Sequence, residues 1–274
     1  MFSPLRTGIA RTRRNPRVTD RLPEVFPTFP PFSSERNSGR RCADHVRPAR
    51  RHNRYADLVL SGSPGLLRQI APAAVRCTEV FADPPDAALF PEEEAYVARA
   101  VEKRRREFTT GRWCARAALQ QLGIAPAPLL RDERGAVRWP AGVRGSITHC
   151  PGYRAAAVAW ASQVSALGID AEPHEPLPEG VLDVVALPDE QRGLAALGTA
   201  LHWPRVLFSC KEAVYKAWYP LTREWLDFSE ASVELDPAGS FTARVHKANA
   251  RATGFTGRWL VSSGLVVTAV WQAR

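Results

Sequence analysis

The sequence lacks any CxxC pair. Its five cysteines, Cys42, Cys77, Cys114, Cys150 and Cys210, are odd in number and widely spaced, which argues against both a zinc cluster and a disulfide framework and leaves a reducing, cytoplasmic setting as the expectation. No run of 18 apolar residues occurs, and Arg6, Arg11, Arg13 and Arg14 interrupt any apolar stretch near the start, so neither a membrane span nor a secretory leader is expected. Lysine is missing from residues 1 to 60, where 13 arginines face 5 acids, a net +8. The remaining residues carry 24 basic and 23 acidic side chains, a net of only +1 against +9 for the whole chain. The basic excess therefore belongs to the arm, and the rest of the chain does not read as a nucleic-acid binder.

What is present is a chain of 274 residues, 45% hydrophobic and 24% charged, enough to bury a core without staples. Residues 1–60 mix Arg with Pro, Ser and Asn, as in Thr12-Arg13-Arg14-Asn15-Pro16-Arg17, and show no helical or strand period. Such a segment cannot offset its ordering entropy, so a disordered extension is expected, either a basic arm or a dispensable tail. Beyond it, a helix is predicted from Pro91, with Glu92, Glu93 and Glu94 in its first turn and Ala95, Ala98 and Val101 at helical spacing. The pattern resumes after Phe108 and stops at Gly123.

Two strand-like runs, Val143 to His149 and Ala155 to Trp160, flank Pro151-Gly152 and read as a hairpin. Val164 to Ala171 is a third strand, and Val181 to Leu201 is helical in pieces around Pro188. Val233–Leu235, Phe241–Val245, Gly257–Val261 and Leu265–Trp271 suggest an antiparallel meander. The expected class is α+β, with a disordered extension over 1–60, an N-terminal lobe over 61–162 and a C-terminal lobe over 163–274.

Two places carry chemistry. In Gly168-Ile169-Asp170-Ala171-Glu172-Pro173 the strand period of two puts both carboxylates on one face, and such a pair suits either a hard cation like Mg²⁺ or a merely solvated strand end. In Phe208 to Pro220, Leu207, Cys210, Val214 and Ala217 form one helical stripe, with Glu212 and Lys216 side by side almost opposite it. Those two form either an exposed ion pair or part of a phosphate site. Pro220 is expected to end the helix.

The chain resembles the 4′-phosphopantetheinyl transferases, in particular the monomeric two-lobed class that activates siderophore, polyketide and fatty-acid synthases. The resemblance rests on Arg106-Glu107-Phe108 with Gly111-Arg112 and Ala115-Arg116, on Gly145-Ser146-Ile147-Thr148-His149-Cys150, on Gly168 to Pro173, and on Lys211-Glu212-Ala213 with Tyr215-Lys216-Ala217-Trp218, all in the family's order. Trp218-Tyr219-Pro220-Leu221-Thr222 and Trp225-Leu226-Asp227-Phe228 are similar to the actinobacterial branch. It covers about 61 to 274; residues 1–60 match nothing in it.

The resemblance implies two similar α+β lobes related by a pseudo-twofold, with coenzyme A in the cleft between them. It implies Asp170, Glu172 and Glu212 as Mg²⁺ ligands at the pyrophosphate, and Lys211 and Lys216 as lysines contacting it. Glu212 would accept the proton of the attacking serine, directly or through water, while Lys216 would steady the departing phosphate oxygen. His149, Arg104 and Arg112 would meet the adenosine 3′-phosphate, joined by Arg131 or Arg134 from a loop where the family leads one to expect lysine. Tyr215 and Trp225 would line the pantetheine channel, or else belong to the core. The implied partners are apo acyl and peptidyl carrier proteins, with no nucleic acid, no membrane and a monomeric enzyme that releases adenosine 3′,5′-bisphosphate. The rival reading, a non-catalytic carrier-protein or coenzyme A binding protein, would be expected to have lost Glu212 or Lys216, and neither is lost.

Overall fold

A computed structural model describes residues 65–247 and 253–274; the extension expected over 1–60 lies outside them. A short helix α1 (Leu66–Ile70) leads into strand β1 (Arg76–Val80), helical turn α2 (Pro91–Glu94) and the long helix α3 (Glu102–Gln120). Strands β2 (Val143–Cys150) and β3 (Tyr153–Trp160) form the expected hairpin, pairing Cys150 with Tyr153 across Pro151-Gly152. Gly152 has φ of 75°, a left-handed conformation that glycine adopts without strain at the second central position of this turn. β1, β3 and β2 make a three-stranded antiparallel sheet in that order.

The second half contains β4 (Val164–Pro173), helices α4 (Val181–Val185), α5 (Pro188–Ala196) and α6 (Trp203–Thr222), and strands β5 (Ala231–Asp236), β6 (Ser240–Val245), β7 (Gly254–Ser262) and β8 (Leu265–Ala273). Its sheet is five-stranded and antiparallel in the order β4-β8-β7-β6-β5. Each half thus sets one long helix on an antiparallel sheet, the α+β class expected. Helix and sheet occur where the hydrophobic periods place them: α3 turns Trp113, Cys114 and Ala118 onto Ala156 and Val158 of β3, and α6 turns Val206, Cys210, Ala213 and Ala217 onto Val266 and Val270 of β8.

The halves meet where β4 runs against β2 and β3. Ala155, Ala157 and Ala159 on one side of β3 share a core with Leu167, Ile169 and Ala171 of β4, and with Leu66, Leu67 and Ile70 of α1. Alternation then sends Asp170 and Glu172 to the opposite face of β4, toward α6. Gly168 lets them come close: a Cβ there would lie 2.0 Å from the Ala213 carbonyl oxygen and 2.8 Å from the Ala217 nitrogen.

Two helix ends differ from expectation. The helix starting at Pro91 closes after Glu94, and i→i+3 bonds such as Tyr96 N–H to Glu93 O (3.1 Å) and Ala100 N–H to Val97 O (3.0 Å) replace it before α3 begins at Glu102. Glu93 is buried at this break, its carboxylate held by Arg116 at 2.9 Å and by the Leu129 N–H at 2.8 Å. Pro220, conversely, does not end α6. The helix runs on to Thr222 and stops at Arg223, whose φ of 60° is left-handed. A proline this near the C-terminus removes one backbone donor, and the following left-handed residue completes the cap through Arg223 N–H to Tyr219 O at 2.8 Å.

Candidate active site

The acidic part of the site is built by β4 and α6. Asp170, 4% exposed, takes Lys216 Nζ on Oδ1 at 2.7 Å and the Ser209 hydroxyl on Oδ2 at 2.8 Å. Thr148, from β2 of the other half, donates to Asp170 Oδ1 at 3.3 Å and accepts the Ala171 N–H at 3.0 Å, so this carboxylate is held by both sheets. Glu172 receives Arg205 Nη1 at 3.1 Å; the same guanidinium donates to the carbonyls of Glu175 (3.1 Å) and Pro176 (2.9 Å). Glu212, one turn before Lys216, is exposed to the charges of Asp170 and Lys216.

Three carboxylates thus share two cations in a desolvated space. Burial, then the charge of Asp170, pushes the Glu212 carboxyl up to about 7, and the same two causes in the same order raise Glu172 well above the carboxylate range. Lys216 goes the other way from an ordinary buried amine. Burial pulls it down, but Asp170, then Glu212 and Glu172, more than offset that and hold it protonated.

The basic part belongs to α3, the end of β2 and the loop after Leu129. Arg104 Nη1 lies 2.8 Å from His149 Nε2, and Glu107 stands 3.7 Å from both Arg104 and His149 Nδ1. Two guanidiniums lie over the Phe108 ring, Arg112 at 4.4 Å and Arg131 at 4.5 Å from its centre. Arg112 donates Nε–H to the Leu129 carbonyl at 2.9 Å, while its buried Nη2 has no hydrogen-bond partner among the described residues. Burial and then Arg131 lower Arg112 to about 9; burial and then Arg104 lower Arg131 to about 10. Burial first, then Arg104 and Lys216, pulls His149 down to about 3, so its ring is neutral near pH 7. Cations crowding one another and a buried donor with nothing to bond describe a place shaped for an anion.

A model of the 4′-phosphopantetheinyl transferase N-terminal domain matches residues 92–159, and one of the 4′-phosphopantetheinyl transferase superfamily matches residues 166–270. The phosphopantetheinyl transferase Svp of Streptomyces mobaraensis is 53% identical over 217 residues, covering 75% of this chain and 88% of Svp. PptT of Mycobacterium tuberculosis is 44% identical over 220 residues (75% and 97%), and Npt of Nocardia iowensis 46% over 222 residues (76% and 100%). The chain belongs to the 4′-phosphopantetheinyl transferase superfamily. It is an enzyme that moves 4′-phosphopantetheine onto carrier proteins.

Within this transferase the structure brings Asp170, Glu172, Glu212 and Lys216 together, and Arg104, Arg112, Arg131 and His149 together, with His149 and Lys216 within electrostatic reach of each other. It does not bring Lys211 to them. That ammonium is buried against Glu190 at 2.7 Å and donates to the carbonyls of Val185 (2.8 Å) and Phe228 (2.9 Å), while Glu190 also receives the Leu187 and Val233 N–H groups. One residue along a helix is a 100° turn, which is why Lys211 and Glu212 point to different neighbours. Arg134 is exposed on its loop, and its charge reaches Tyr215. Trp225, 59% exposed, packs at a steep tilt against the half-buried Tyr215 with ring centres 5.2 Å apart, and so is not core.

As to a metal, no three His, Cys, Asp or Glu side chains among the described residues stand as a ready cage. Lys216 and Arg205 occupy one oxygen each of Asp170 and Glu172 instead. The donor chemistry nevertheless suits a hard divalent cation: all-oxygen ligands, desolvated, with more negative charge than the neighbouring cations balance. Sequence reasoning missed Thr148, Ser209 and Arg205. For the last two a signal existed, since 205, 209, 212 and 216 lie four, three and four residues apart on one face of α6.

Proposed function

We propose that the site binds coenzyme A with its adenosine 3′-phosphate on Arg104, Arg112, Arg131 and His149 and its pyrophosphate at Asp170, Glu172, Glu212 and Lys216. The 4′-phosphopantetheinyl group would pass to a serine of an apo acyl or peptidyl carrier protein. The observation that supports this reading is the polarity of the site: an anion-seeking pole in one half of the fold and a cation-seeking pole in the other, near enough for Lys216 to act on His149. A single ligand with a terminal phosphate and a metal-binding pyrophosphate satisfies both.

Mg²⁺ on Asp170, Glu172 and Glu212 would supply Lewis-acid charge for the pyrophosphate oxygens. The chain's own residues do the rest. Glu212 would take the proton from the serine hydroxyl, directly or through a water, as its oxygen bonds to the phosphorus bearing pantetheine. The bond that breaks leaves its electrons on the phosphate oxygen of adenosine 3′,5′-bisphosphate, where the protonated Lys216 supplies compensating charge. Lys211 has no part at the phosphates in this scheme and serves to fasten α4 and α5 to α6. We place the lobe boundary between residues 162 and 163, in the link from β3 to β4, and expect a cytoplasmic monomer. Intact-mass measurement of an apo carrier protein incubated with the enzyme, coenzyme A and Mg²⁺ tests the reading; a gain of about 340 Da is expected for the transferred group, and an unchanged mass refutes it.

A further inference from the structure

We propose that Asp132, Tyr219 and Arg223 form a tie between the lobes that sets where the adenosine-end arginines stand relative to the carboxylate pole, which makes them positioning residues for coenzyme A. The inference rests on the function proposed above.

One carboxylate serves two purposes. Asp132 Oδ1 accepts the backbone N–H of Arg134 at 3.0 Å and of Ala136 at 2.8 Å, shaping the turn that the Arg131–Val137 bridge closes. Oδ2 faces the other lobe, where it accepts the Tyr219 hydroxyl at 3.2 Å and a charge-assisted bond from Arg223 Nη1, 91 residues away in the chain. The Asp132 side chain is only 12% exposed, and the Arg223 guanidinium lies 5.7 Å from the Tyr219 ring centre. An ordinary surface ion pair contributes little, but here the shared acceptor is mostly buried and has four donors.

Both anchors abut the proposed site. Asp132 directly follows Arg131, which lies over the Phe108 ring as Arg112 does; Tyr219 is one helical turn beyond Lys216. The extension of α6 past Pro220 makes the contact possible, since a helix ending before the proline would not deliver Arg223 in its left-handed cap. The lobes are joined independently by Ser146 and Thr148 of β2, whose hydroxyls take the Ile169 and Ala171 N–H groups, so losing the tie should leave them joined. What it should change is the placement of the loop that carries Arg131.

The test uses the full chain and isothermal titration with coenzyme A and with dephospho-coenzyme A, which lacks the 3′-phosphate. In the wild type the first should bind about tenfold tighter or better, taking one decade per 1.4 kcal/mol. In Arg223→Ala with Tyr219→Phe the preference should fall by about fivefold, within the range of couplings carried through such networks, with dephospho-coenzyme A affinity nearly unchanged. Arg223→Lys alone should restore part of it. An unchanged preference in the double variant, or an equal loss for both ligands, overturns the proposal. A wild type that binds both ligands equally overturns the adenosine site itself, and the tie with it.

Discussion

The two poles of the site are built by opposite violations of the same rule. Burying charge is costly unless it is paired, and the N-terminal half leaves cations in excess while the C-terminal half leaves carboxylates in excess. At the first pole Arg112 and Arg131 lie over one ring, Arg112 keeps an unpartnered donor, and His149 gives up its proton. At the second, Glu172 and Glu212 are driven toward their neutral forms by burial and by Asp170. A buried ion pair kept only for stability would be balanced, as Glu93–Arg116 and Glu190–Lys211 are. Imbalance of opposite sign at the two ends of one site would suit a ligand that is anionic at one end and carries a metal ion at the other.

The sharpest way to break the comparison is to remove the acidic pole. Asp170→Ala and Glu212→Ala should each lower transfer by about 10² to 10³, the usual cost of one preorganised transition-state contact, with the fold checked by circular dichroism. The double variant should lose much less than the product, because both act at one centre. Multiplicative losses would show that the two carboxylates work at separate sites.

Removing the basic pole should do less, and only to one substrate. If the proposed adenosine site is right, Arg112→Ala with His149→Ala would discard charge-assisted bonds to a phosphate, about 1.5 to 3 kcal/mol each. The preference in kcat/KM for coenzyme A over dephospho-coenzyme A, expected to be about tenfold or more, should then largely vanish, with the dephospho substrate turned over as before. Equal slowing of both substrates would assign these residues to structure or to the bond-breaking end.

How far the sequence reveals these poles depends on the range of the interaction. Asp170 and Glu172 are legible because strand alternation is strict, and Glu212 with Lys216 because helical spacing is. The adjacency of Lys211 to Glu212 misleads for the same reason, since its partner Glu190 sits 21 positions earlier in another helix, and no local pattern announces that pairing. Nor does any pattern show that Glu93 turns inward to Arg116, or that α6 passes through Pro220 to place Arg223 against Asp132. The α+β class, the hairpin at Pro151-Gly152 and the meander of β5–β8 rest on nearest-neighbour chemistry, and there expectation and structure agree.

Acid and base titration should separate the poles by the sign of their slopes. The folded His149 titrates near 3 against 6.5 for an ordinary imidazole, so between those values the unfolded chain holds the extra proton and stability drops as pH falls. Glu212 titrates near 7 against 4.5, so the folded state holds the extra proton and stability drops as pH rises through that window. In thermal melts at pH 4.5 to 7, His149→Gln should therefore gain relative to wild type toward the acid end, and Glu212→Gln toward the neutral end. Shifts of the same sign for both variants would contradict the opposite protonation of the two poles.

The smallest effect expected is from deleting residues 1–60, and its value lies in the contrast with a slightly longer deletion. The basic excess of +8 sits in that segment, outside both matched regions, and the cations of the basic pole all come from residues 104 to 149. If the pole is what attracts coenzyme A, kcat/KM without residues 1–60 should stay within about twofold of the full chain, even at low salt, where a distant charged arm would exert its greatest pull. Extending the cut through Ile70 removes Leu66, Leu67 and Ile70, each at most 7% exposed in the core shared by β3, β4 and β8. Losing fully buried aliphatic side chains costs about 1.5 to 3 kcal/mol apiece in transfer free energy, so this cut should lower the melting temperature sharply. A salt-dependent loss of kcat/KM in the shorter deletion would instead show that the arm works as part of the basic pole, and the comparison drawn between two poles would need a third member.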